Sequence, residues 1–163
     1  MIRGELVNLR AVDLDDVRVV YRWLNSPVVM DGWGDAGATI SQSGAMRKIV
    51  RWLDDEEALG RPVAFVIELL DGTEIGLILA SPTDREQRVF QLSLLIGDPD
   101  EWGKGFGRDA LDALLDTAFD EWNVRRIWLE VEAGNDRAER LYRSAGFELE
   151  ATLRGARFRG RGG

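Results

Sequence analysis

The residues with most chemical content lie in one stretch, Gly97-Asp98-Pro99-Asp100-Glu101-Trp102-Gly103-Lys104-Gly105-Phe106-Gly107-Arg108. Glycines at alternate positions admit positive φ and let the backbone approach a ligand with no Cβ in the way. An apolar, strand-like run precedes the stretch and an amphipathic helical pattern follows it. That is the setting in which backbone N–H groups and a helix N-terminus hold an anion. Lys104 and Arg108 add positive charge, so the chemistry suggested is a phosphate or pyrophosphate cradle. The spacing matches neither G-x-x-x-x-G-K-[ST] nor G-x-G-x-x-G. A tight turn whose glycines serve only helix–strand packing is the alternative, and the loop alone does not decide between them.

The rest of the composition removes whole mechanisms. The 163 residues include no histidine and no cysteine. Disulfides, zinc fingers, cysteine nucleophiles, Ser-His-Asp triads and imidazole bases are therefore excluded. No metal site is expected, a carboxylate-only one being the sole kind left. The net charge of −8 disfavours nucleic acid as a partner and suits a cationic small molecule or a basic protein tail. Acidity that merely keeps the chain soluble is the plainer explanation. No apolar run approaches membrane-spanning length and the start lacks a signal-peptide core, so a cytoplasmic protein without a membrane partner is expected.

These groups must be positioned by elements that the pattern also outlines. Glu5 to Arg10 alternates weakly as a strand. Asp13 stands as an N-cap before Leu14, Val17, Tyr21 and Leu24 at helical spacing, and Pro27 stops that helix. Asp31 to Gly37 reads as a glycine-rich loop. Ser41 caps a second helix carrying Met46, Ile49, Val50 and Leu53, which ends in the acidic run Asp54–Glu57. Val63–Leu70 and Glu74–Ala80 form a hairpin around Asp71-Gly72, and Val89–Ile96 is a third strand. After the glycine loop, Leu111, Leu114, Leu115, Ala118, Phe119 and Trp122 mark one face of a helix. A strand over Arg126–Glu132, a short helix over Asn135–Ala145 and a strand over Phe147–Leu153 complete the series. An antiparallel meander followed by βαβ and αβ units implies a single α/β domain with a mixed sheet and helices on its faces.

The string W-G-K-G-F-G, then a helix and a strand, then Asn135 to Ala138, Leu141-Tyr142 and Gly146-Phe147, resembles the GNAT superfamily of acyl-CoA-dependent N-acyltransferases. The likeness is to its branch of ribosomal-protein N-terminal and spermidine acetyltransferases. It is strong over Leu92 to Arg154, and the upstream element order fits the same fold. It implies that acetyl-CoA is the co-substrate and that an amine acceptor is the partner. Trp102, Gly103, Lys104, Gly105, Phe106, Gly107 and Arg108 would form the pyrophosphate loop. Trp102 stands at a position where the family usually has Gln or Arg, so its side chain is not expected on a phosphate. Leu94, Leu95 and Ile96 would lie on a strand that splays from Arg126–Glu132, offering backbone groups to the pantetheine arm. Asn135 would contact the pantetheine region, and Tyr142 would protonate the departing thiolate.

Each assignment has a plainer counterpart. Tyr142 at a core-facing position could simply pack on the sheet, and Asn135 could only cap its helix. No carboxylate lies on the strand before the loop, where some relatives place a base. Ser93, Glu130 or a water chain could serve, and none is assigned. The acceptor would meet Asp31, Trp33 and Asp35, unless that loop is merely solvated. A non-catalytic acyl-CoA-binding or regulatory module is the alternative function.

The end of the chain departs from the resemblance. Arg154 to Gly163 carries four arginines and no acid, so the acidity is concentrated in the rest of the chain. It reads as a mobile Arg/Gly-rich tail that stops where the family's last strand would form. The expectation is a sheet lacking its final strand, through truncation or with a neighbouring chain of a homodimer filling the gap.

Overall fold

The computed structural model describes residues 1–29, 39–132, 134–152 and 155–159, with residues 151 onward as backbone only. Eight strands form one sheet: β1 (Ile2–Arg3), β2 (Val7–Ala11), β3 (Ala64–Leu69), β4 (Glu74–Asp84), β5 (Val89–Ile96), β6 (Arg126–Glu132), β7 (Glu148–Thr152) and β8 (Gly155–Arg159). Their spatial order is β1-β2-β3-β4-β5-β6-β8-β7. Neighbours are antiparallel except β5 and β6, which are joined by a helical crossover and run parallel. Helices α1 (Val17–Leu24) and α2 (Gln42–Leu59) precede the hairpin, α3 (Phe106–Asp120) forms the crossover, and α4 (Asp136–Ser144) follows β6.

The helices cover both faces because the strands alternate apolar residues to both. Ile67, Ile78, Phe90 and Leu92 meet Leu111, Leu114 and Leu115 of α3. Val66, Leu77, Leu79 and Leu95 meet Val20, Trp23 and Leu24 of α1 and Ile49 of α2. Thus β5 sends alternate residues to opposite cores, as a centrally placed strand must. Ser41 caps α2 by accepting the Gly44 N–H at 2.9 Å, but the helix runs beyond the acidic segment to Leu59. Val50, expected on the apolar face, is exposed. Among the described residues no helix is long and apolar enough to cross a membrane.

The C-terminal expectation is overturned. Gly155–Arg159 is not a tail but β8, inserted between β6 and β7 and antiparallel to both. It pairs Trp128 with Arg159 and Val131 with Ala156 on one side, and Glu148 with Arg159 on the other. The sheet therefore has its closing strand from the same chain, and the case for a neighbour filling a vacancy lapses. A short Gly/Arg-rich run carries no strand signature of its own. The backbone edge of β6 nevertheless gives every residue of that run a ladder partner.

Asp13 does cap, but it caps a 3-10 turn, Leu14–Asp16, that leads into α1. Asp16 returns the favour by accepting the Asp13 N–H at 2.8 Å. Asp16 is 7% exposed and also receives Arg10 at 2.9 Å, while Arg10 reaches Glu68 at 3.2 Å and Glu74 at 3.1 Å. The hydrogen bonds to Asp16, helped by Glu68, push the guanidinium pKa further up despite desolvation. One partly buried cation thus ties β2, β3, β4 and the entrance to α1. Asp16→Ala is expected to lose a cap and leave Arg10 short of a partner, costing about 2 kcal/mol in urea unfolding.

Candidate active site

The β5–β6 ladder is short. Only Val89–Arg126, Phe90–Ile127 and Gln91–Trp128 are paired. Beyond them β5 stays on β4 as far as Ile96, and β6 stays paired on its far edge with β8 over Trp128–Glu132. Each strand keeps its outer neighbour while the inner edges part. The Gly97 N–H donates to the Ile75 carbonyl of β4 at 2.6 Å. Alternation then turns Leu95 toward β4, and Leu94 and Ile96 toward the gap. Of the three residues expected to offer backbone groups, two face the opening.

The gap widens into a cleft of about 1320 Å³ that carries Leu94, Leu95 and Ile96 on one wall and Glu130–Glu132 on the other. Its floor at one end is the glycine loop. Gly103 and Gly105 have φ of 76° and 86°, which an L side chain resists. Gly107 lacks a positive φ, so only two of the three alternating glycines meet the expected backbone demand. A Cβ on Gly107 would sit 3.9 Å from side-chain atoms of Leu94 and Ile96.

The start of α3 differs from those of α2 and α4. Ser41 caps α2, and Asn135 caps α4 by accepting the Ala138 N–H at 3.2 Å. α3 instead begins from Gly105, and no side chain among the described residues caps it. Its first internal bond runs from the Asp109 N–H to the Gly105 carbonyl at 3.0 Å. The N–H groups of Phe106, Gly107 and Arg108 precede that bond, at the positive end of a 15-residue helix. Such an end fits a phosphate group.

The cations are arranged differently from expectation. Arg108 lines the cleft and donates to Asp112 at 2.9 Å and to Ser144 Oγ at 2.6 Å. Lys104 pairs with Glu101 at 3.3 Å and is not part of the cleft wall. Trp102 donates its indole N–H to the Ile96 carbonyl at 3.0 Å, locking the loop to the end of β5. Its ring also carries the Arg137 guanidinium 4.2 Å from the centroid. Arg137 lines the cleft and makes no ion pair among the described residues. Sequence reasoning missed it; the available signal was a basic residue two positions after Asn135, in the first turn of α4.

Tyr142 is 8% exposed, lines the cleft, and meets Phe147 edge-on at 5.8 Å. Its hydroxyl makes no hydrogen bond among the described residues, yet no buried side-chain oxygen there lacks a partner. The oxygen is therefore presented to the cleft. Burial pushes the phenol pKa above its ordinary value of 10.0. Asn135 both caps α4 and lines the cleft, so the two roles weighed for it coexist in position. Ser93 and Glu130 also line it.

Asp31, Trp33 and Asp35 lie outside the described residues. What is described of that side is Pro27, Val28 and Val29 on the cleft wall. Asn25 holds the segment's two ends together. Its Nδ2 donates to the Ile40 carbonyl at 3.0 Å and its Oδ1 accepts the Ile40 N–H at 3.1 Å.

Residues 7–148 match the acetyltransferase (GNAT) domain. The chain belongs to that family. Aminoglycoside N(6')-acetyltransferase type 1 of Klebsiella pneumoniae is 26% identical over 160 residues, covering 92% of this chain and 78% of the relative. Spermidine N(1)-acetyltransferase of Escherichia coli K12 is 28% identical over 149 residues, covering 90% and 75%. In fold, the chain is similar to the Vibrio cholerae spermidine N-acetyltransferase solved with CoA and spermine. The TM-score is 0.81 at 24% identity, over 96% of this chain and 94% of that one. The protein is an N-acetyltransferase that transfers an acetyl group to an amine, which sets aside the non-catalytic alternative.

The two kinds of glycine in the loop are separable by experiment. Gly105→Ala is expected to cost roughly 1–2 kcal/mol, because φ is left-handed there. Gly107→Ala should unfold at the wild-type temperature, since its Cβ meets only ordinary contacts. Thermal unfolding of the two variants checks both.

Proposed function

We propose that the cleft binds acetyl-CoA along the parted edges of β5 and β6, with its pyrophosphate at the start of α3. The observation that carries this reading is the continuity of the two features. Backbone groups of Leu94 and Ile96 lead directly to a helix whose first donors no described side chain satisfies. The residues present fit the co-substrate: donors for phosphate, an open edge for an amide-bearing arm, and room above Gly107. Acetyl-CoA supplies a thioester as acyl donor.

The chain's own groups then do four things. The N–H groups of Phe106, Gly107 and Arg108, with the Arg108 and Arg137 guanidinium groups, hold the phosphates. Lys104 contributes charge from outside the wall. The backbone of Leu94 and Ile96 orients the arm, and a cleft-facing N–H in that stretch polarises the carbonyl under attack. Asn135 contacts the arm near the bend into α4. Tyr142 donates its proton to the thiolate set free. Burial keeps this phenol protonated until the C–S bond breaks, and the same surroundings raise the proton affinity of a thiolate formed beside it, which offsets the weaker acidity of the phenol.

The acceptor in this reading is a small cationic amine. Glu130 and Glu132 line the cleft, the chain is acidic overall, and two relatives are named for spermidine and aminoglycoside substrates. The amine enters from the side of Pro27–Val29, and the reacting nitrogen attacks the carbonyl in its neutral form, with positioning supplying much of the rate. As the C–N bond forms and the C–S bond breaks, the nitrogen loses a proton to solvent water, and Tyr142, having protonated the thiolate, recovers one from solvent. Thiol release over a panel of spermidine, an aminoglycoside and an N-terminal peptide is expected to favour the polycations. Selective turnover of the peptide would overturn the acceptor class.

Tyr142→Phe is expected to lower kcat about 10²-fold, the lower range for a positioned general acid. Acetyl-CoA affinity by calorimetry should stay unchanged, because the ring and its packing on Phe147 remain. Wild-type turnover in this variant would remove Tyr142 from the chemistry.

A further inference from the structure

Asp109 sits on the fourth residue of α3, directly behind the uncapped turn. Its carboxylate is aimed at backbone more than 100 positions earlier in the chain. Oδ1 accepts the Glu5 N–H at 3.1 Å, and Oδ2 accepts those of Leu6 at 2.8 Å and Val7 at 3.0 Å. Glu5 and Leu6 lie in the turn between β1 and β2 and Val7 opens β2; the turn is closed by the Gly4 N–H on the Val7 carbonyl at 2.8 Å. A Cβ on Gly4 would run into Asp109 Oδ2 and the Val7 carbonyl oxygen. Leu6 from the same turn lies 3.7 Å from where a Cβ on Gly105 would stand. One turn of the N-terminal hairpin therefore touches both the cradle glycine and the helix that follows it.

Two physical consequences combine. Three convergent N–H donors fix where α3 sits along and about its own axis, since a carboxylate with three partners tolerates little rotation. They also offset a negative charge that would otherwise stand unopposed beside a phosphate site. We infer that Asp109 is a positioning residue for co-substrate binding. It holds the first turn of α3 so that the Phe106, Gly107 and Arg108 N–H groups converge on the pyrophosphate. This rests on the reading of the cleft as an acetyl-CoA site.

Steady-state kinetics with both substrates varied, together with thermal unfolding, test it on Asp109→Ala, Asp109→Asn and Gly4→Ala. Losing the charged hydrogen bonds in Asp109→Ala should raise the acetyl-CoA KM about tenfold. The amine KM and kcat should not change. Asp109→Asn, which keeps one acceptor oxygen, should fall between. Gly4→Ala leaves the carboxylate chemically intact but displaces it, so it should show the same selective rise even if Asp109→Ala does not fold. A fall in unfolding temperature with both KM values unchanged would assign the contact to stability alone and overturn the inference. Failure of the wild-type protein to bind acetyl-CoA in calorimetry would instead overturn the reading of the cleft, and this inference with it.

Discussion

Backbone amides that leave a ladder still need hydrogen bonds, and leaving such a group unpaired costs about 1–3 kcal/mol. β5 and β6 create that demand inside the sheet, where they part after Gln91 and Trp128. The parting is stable because neither strand depends on the other beyond that point. β4 holds β5 along its length, and β8 holds the far edge of β6 from Trp128 to Glu132. The indole N–H of Trp128 is itself fixed to Thr83 Oγ1 at 3.1 Å. An opening so framed is part of the architecture, and the helix that bridges the two strands begins at its end.

Charge around that opening is held in reserve. Arg108 rests on Asp112 in an exposed i,i+4 pair, an arrangement worth only a few tenths of a kcal/mol. In the proposed site a phosphate would compete for this guanidinium with Asp112 and with the Ser144 hydroxyl. Arg137 is held differently, by the face of Trp102. Stacking fixes its place and leaves its charge uncancelled. Trp102, at the position where the family usually has Gln or Arg, anchors the loop to Ile96 and seats a cation from another helix.

The elements legible in the sequence were those whose signal is local. The leucine stripe of α3, the Ser41 cap, the Asp71-Gly72 turn and the apolar runs of β3 to β5 each announce themselves within a dozen residues. The glycine loop stood out by its composition, and the family likeness pointed to Asn135 and Tyr142, which line the same cleft, and anticipated the splay of β5 from β6. What escaped depends on distant contacts. β8 is a strand because β6 has an edge to offer. Arg137 matters because Trp102 lies beneath it. The Arg10 knot joins residues from four separate segments, and no pattern along the chain foretells it. Gly107 shows a subtler limit: three glycines in alternation look equivalent in sequence, but only two of them need a positive φ.

The position of β8 bears on how the cleft walls are held. β7 touches the sheet only through β8, and β8 lies on the edge of β6 that faces away from β5. β4 stands in the same relation to β5 on the other side. Each wall of the cleft is thus backed from outside by an antiparallel ladder, as the jaws of a clamp are held by their arms. Without the β7–β8 hairpin, β6 would be tied to the sheet only by its three pairs with β5.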